Sequence, residues 1–111
     1  MKLIRATLAP HQLDAAHRAL HALGVQGMTV TEVRHFGHHA GHTEFYRGTE
    51  LRVDFEPQVQ LEVAVHDPLR EQVLEALEAL QAAVPAQLAL LVLPVEEAVR
   101  VRTGERGADA L

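Results

Sequence analysis

The sequence predicts an α+β fold in the order β-α-β-loop-β-α-β. Three observations predict it: two stretches with helical apolar spacing, apolar or alternating segments before and after each of them, and a long patternless stretch in the middle. The chain has 111 residues, enough for one domain with one core (residues 1–111), and 48% of them are hydrophobic. Aromatic residues are only 4%, so Leu, Val and Ala must build that core.

Residues 2–9, KLIRATLA, have the apolar content of a short buried strand, which Pro10 ends. From His11 to Leu23 the residues Leu13, Ala16, Leu20 and Leu23 recur at helical spacing, and Gly24 terminates the helix. Residues 28–36, MTVTEVRHF, are rich in β-branched side chains and read as a strand. Residues 37–56 lose regular patterning and read as one long loop, a feature usually tied to function. Residues 58–66 alternate, with Val59, Leu61, Val63 and Val65 on one face. Asp67 reads as a helix N-cap with Pro68 at the first helical position, followed by a stripe of Leu69, Val73, Leu77 and Leu80. Residues 82–87 connect to LALLVL at 88–93, whose continuous apolar run is that of a central strand; Pro94 stops it. Residues 98–103 alternate weakly and read as a short edge strand.

This order is the ferredoxin-like βαββαβ sandwich, an antiparallel sheet with both helices on one face. The other face needs a cover, and a second copy of the chain is the simplest one. A net charge of −5 with histidine neutral argues against a nucleic-acid partner, which needs a basic stripe. The absence of cysteine removes disulfides and thiolate metal sites. The apolar stretches are too short to span a bilayer, and Arg5 interrupts any secretory signal, so a soluble cytoplasmic protein is expected. No nucleophile, triad or paired acid is recognisable, so no catalytic residue is assigned.

Three stretches, Gly24-Val25-Gln26-Gly27-Met28-Thr29-Val30-Thr31-Glu32-Val33, Gly41-His42-Thr43-Glu44-Phe45-Tyr46-Arg47-Gly48, and PVEEAVRVRTGERGADAL at 94–111, resemble the PII family of nitrogen-regulatory signal-transduction proteins. The resemblance runs from end to end, about one residue short before the last strand. It implies a non-enzymatic homotrimer with effector sites in the clefts between subunits. Residues 37–55 then correspond to the family's T-loop, which contacts a transporter or a metabolic enzyme; a membrane is met only through a partner transporter.

By the same resemblance, adenine nucleotides (ATP, ADP or AMP) bind through Thr29, whose hydroxyl meets the adenine edge, Gly37, which admits close backbone approach, and Arg100 and Arg102, which pair with phosphate. Alternate spacing puts the two arginines on one face of a strand; pairing with Glu96, Glu97 or Glu105 is the plainer role for them. The family's glycine- and lysine-rich phosphate cradle is absent, its place taken by Ala82-Ala83-Val84-Pro85-Ala86-Gln87. The family lysine opposite the loop base is Gln58, and the glutamine that helps to hold magnesium and 2-oxoglutarate is His39. Each lost charge-assisted contact removes roughly 1.5–3 kcal/mol, so a triphosphate is weakened on the order of a hundredfold while ADP or AMP binding survives. The tyrosine uridylylated in enteric members corresponds to Leu51, and Tyr46 matches another position, which excludes modification at the usual site.

Of eight histidines, four fall within eight residues: His35, His38, His39 and His42. Neutral imidazole suits Ni, Zn, Cu or Co, and Gly37 and Gly41 allow bends that bring two or three rings to one ion. His39 places nitrogen where relatives hold magnesium with oxygen, and one divergent PII group is associated with heavy-metal efflux. A metal-responsive regulator is therefore one reading, and a metal-binding or buffering trimer with no regulated partner is the alternative. His17 and His21, four apart on the first helix, form a pair able to chelate but read as a solvated edge; His11 and His66 carry no signal.

Overall fold

The computed structural model describes residues 1–36, 42–46, 49–53, 55–81 and 89–111, with the backbone alone described at 42–46, 49–53 and 81. Strand β1 (Lys2–Leu8) leads through a single 3-10 turn, Pro10–Gln12, into helix α1 (Leu13–Ala22). Pro10 therefore both ends the strand and opens the turn, which shortens the helix expected from His11. The side chain of Gln12 is buried, and its Oε1 accepts the Ala9 N–H at 3.0 Å. Helix α1 ends as the sequence predicts. Val25 N–H donates to the Leu20 carbonyl at 3.1 Å and Gly24 N–H to that of His21 at 3.0 Å, with Gly24 at φ +88°. This is a Schellman cap, whose left-handed residue favours glycine.

Strand β2 (Thr29–His35) follows, then β3 (His42–Tyr46), β4 (Thr49–Val53) and β5 (Glu56–Val65). The long loop expected over 37–56 is thus partly structured. Strands β3 and β4 pair antiparallel from His42↔Val53 to Tyr46↔Thr49. The physical reason is legible afterwards: Thr43, Phe45, Tyr46, Thr49 and Val53 favour strand.

Helix α2 (Asp67–Gln81) begins at Asp67 itself. The Asp67 carboxylate accepts the Met1 ammonium at 3.1 Å, so its partner is the chain terminus where a capping bond was expected. Among the described residues strand β6 (Ala89–Pro94) pairs with β1 alone, giving the sheet order β2-β5-β1-β6, all neighbours antiparallel. β6 is therefore an edge strand, not the central strand its apolar run suggested. Its Leu90 and Val92 pack on the core while Leu91 points to the other face and is 53% exposed. Residues 98–103 form no edge strand either. Val99 makes a single bridge to Arg106 around a turn closed by Gly104 N–H to the Arg100 carbonyl at 2.8 Å.

Period-two alternation separates the sheet faces. Ile4, Ala6 and Leu8 of β1 and Val59, Leu61, Val63 and Val65 of β5 are buried beneath Ala16 and Leu20 of α1 and Val73 and Leu77 of α2. The molecule is thus the predicted ferredoxin-like α+β sandwich, with both helices on one face. By register, the opposite face carries Leu3, Arg5 and Thr7 of β1, Gln58, Gln60, Glu62 and Ala64 of β5, Thr29 and Thr31 of β2, and Leu91 and Leu93 of β6. On it Arg5 pairs with Glu62 at 3.3 Å. Among the described residues no helix is long and apolar enough to cross a membrane.

Candidate functional site

The Schellman cap turns the chain from α1 so that residues 24–28 run along the end of the sheet before β2 begins at Thr29. This segment forms one wall of a cavity of about 820 Å³. Thr29, Glu62 of β5, His66 at the mouth of α2, and Arg100 from the C-terminal segment line the same cavity. Thr29 and Glu62 are register partners on adjacent strands, and their shared face explains why both open into it.

The charges in this cavity are partly compensated. The Glu62 carboxylate is paired with Arg5, half-buried beside it. The Arg100 guanidinium donates to the backbone carbonyls of Ala110 and Leu111 at 3.5 and 3.4 Å, both long for such bonds. A guanidinium held this loosely is available to a competing anion, and the fixed fork of its donors matches phosphate oxygens.

Two of the four residues expected at a nucleotide are therefore brought together, Thr29 and Arg100. Arg102 does not join them: it stands in the turn after Val101, does not line the cavity, and shares no strand face with Arg100. The expectation of two arginines on one strand face fails because residues 101–103 bend. The plainer role, a surface ion pair, falls to a neighbour: Arg106 pairs with Glu97. Gly37 lies outside the described residues, as do the expected cradle positions 82–87.

Of the expected metal ligands, His35 ends β2 and His42 begins β3, where the backbone alone is described; His38 and His39 lie outside the described residues. Among the described residues no three His, Asp or Glu side chains gather as a metal set. Glu62 and His66 were missed from sequence as cavity residues. Glu62 was legible, since β5 alternation sends it away from the core onto the face of Thr29. His66 gives no such signal, because it lies where β5 gives way to α2.

Residues 1–105 match a family model described as nitrogen regulatory protein P-II. The chain is 48% identical to the nitrogen regulatory protein P-II of Azospirillum brasilense and 47% identical to that of Rhodospirillum rubrum. It is also 47% identical to that of Haemophilus influenzae, and each of the three alignments covers the whole of both chains.

Proposed function

Because the chain belongs to the nitrogen regulatory protein P-II family, whose members are regulatory signal transducers and not enzymes, we propose that it senses an effector in clefts between subunits and controls a partner through residues 37–55. Family members bind adenine nucleotides and act as homotrimers that meet enzymes and transporters through the T-loop. The proposed effector here is ADP or AMP, held by Thr29, Gly37, Arg100 and Arg102. Residues 1–111 form one domain, and the protein acts in the cytoplasm. The observation that carries this reading is that Thr29 and Arg100, distant in sequence, line one cavity beside the sheet face that carries no helix among the described residues.

That face supports the trimer. Leu91 is 53% exposed there, beside the half-buried Arg5–Glu62 pair. An exposed apolar side chain on a sheet face that carries no helix is what a second copy of the chain would cover. Arg102, which does not line the cavity of its own chain, is proposed to serve a cleft only in the assembled trimer.

A transition metal is the second proposed effector, on His35, His38, His39 and His42; the observation that favours it is the density of that run. The test is calorimetry of untagged, metal-stripped protein with ADP and, separately, with Ni²⁺. Saturable ADP binding weakened in Arg100→Ala supports the nucleotide reading, and absent binding at millimolar ADP overturns it. Ni²⁺ binding abolished by alanine at His38, His39 and His42 together supports the metal reading. Binding that survives those changes removes the metal from the loop.

A further inference from the structure

We propose that His17 and His21 of α1 form a two-histidine clip for a borderline divalent transition cation, separate from the histidine run at residues 35–42. Positions four apart on a helix lie one above the other on one side. The two rings stand with centroids 6.1 Å apart and planes tilted by 50°. A metal–nitrogen bond of about 2.1 Å plus the distance from nitrogen to ring centre puts two imidazoles bound to one ion at most about 6.4 Å apart. The observed separation lies inside that limit. Side-chain rotation alone can therefore bring both rings to one ion, and the helix need not bend.

The surroundings favour such an occupant. Both histidines are exposed, so an ion meets no buried apolar barrier, and both line a second cavity of about 330 Å³ with Leu20, Val25, Gln26 and Met28. Leu20 beneath them is buried and holds this turn of α1 to the core. The clip therefore rests on a fixed element and not on a loop, which favours chelation by lowering the ordering cost. Asp14, one turn earlier, adds negative charge near the pair.

Among the described residues no third His, Asp or Glu completes a set with them. Water then fills the remaining positions, and the clip takes Cu²⁺ more tightly than Ni²⁺ or Zn²⁺ by the usual order for nitrogen ligands. Imidazole binds metal through a neutral ring nitrogen, so each histidine offers the ion one ligand atom.

The experiment uses untagged, full-length protein with His35, His38, His39 and His42 all changed to alanine, titrated with Cu²⁺ in a calorimeter. One ion per chain is expected. Adding His17→Ala or His21→Ala, each alone, should weaken binding at least about tenfold, because each leaves a single imidazole. His21→Gln, similar in size, should show the same loss, with the helical circular dichroism unchanged. Absent binding in the loop-histidine variant, or equal affinity with and without His17 or His21, overturns the clip.

Discussion

Replacing Leu91 with alanine tests what covers the free sheet face. Leu91 sits on edge strand β6 opposite Arg5, on the face away from both helices, and 53% of it is exposed in the single chain. Complete burial of a leucine side chain contributes about 1.5–3 kcal/mol, so covering the exposed half contributes roughly 1–1.5 kcal/mol per chain. In the proposed closed trimer three copies are covered, so the change should remove about 3–4.5 kcal/mol from assembly, or about 10²–10³-fold in the trimer dissociation constant. The fold of each chain should lose little, since Leu91 is not in the core and its strand neighbours Leu90 and Val92 still pack there. Sedimentation equilibrium over a range of concentrations, with circular dichroism as the control for folding, reads both quantities. An unchanged trimer dissociation constant, or a protein that is monomeric before any substitution, would refute the reasoning.

Three further outcomes are expected. Leu77→Ala empties a fully buried site between α2 and the sheet and should cost about 2–5 kcal/mol in urea unfolding; a cost below about 1 kcal/mol would contradict the assigned core. Arg100→Ala should weaken ADP about 10–100-fold while leaving adenosine nearly unchanged, because the guanidinium is assigned to phosphate; equal loss for both ligands would contradict that role. The Met1 ammonium hydrogen-bonded to Asp67 holds its carboxyl below the ordinary value. A depressed carboxyl contributes stability that is present above its unfolded pKa and lost as pH falls through the folded one. Asp67→Asn should therefore lower the melting temperature slightly near neutrality, and the difference from the parent should vanish in strong acid. A gap that persists there would assign the effect to something other than charge.

The elements with one buried face were legible from sequence because burial writes its own period. Val59, Leu61, Val63 and Val65 stand at alternate positions and are all buried. Ala16 and Leu20, and Val73 and Leu77, stand four apart on their helices and are buried as well. Gly24 was legible as a helix terminator because only a left-handed residue closes the cap seen there. Edge position was not legible. The run LALLVL looks central because both faces of β6 are apolar, yet its second face turns away from the core of its own chain. Patterning records that a face is apolar, not whether the same chain covers it.

The β3–β4 hairpin was missed for the opposite reason. Its strands interleave polar and charged residues (His42, Thr43, Glu44, Glu50, Arg52) with few apolar ones, so no buried face marks them. Arg100 and Arg102 show the limit of spacing as evidence. Alternate positions share a face only if the segment is extended, and the turn at 101–103 breaks that condition. Glu62 was legible as facing away from the core, but its place beside Thr29 follows from the β2–β5 pairing, a relation between strands far apart in sequence.

The central claim is that a ligand in the cleft governs the segment 37–55. Amide hydrogen exchange of the untagged protein with and without saturating ADP tests it most directly. Altered exchange is expected across 42–53, the span of the β3–β4 ladder, together with protection around Thr29, and neither change in Arg100→Ala at the same ADP concentration. Protection around Thr29 with no change across 42–53 would contradict it, because the nucleotide would then bind without reaching the segment through which a partner is controlled.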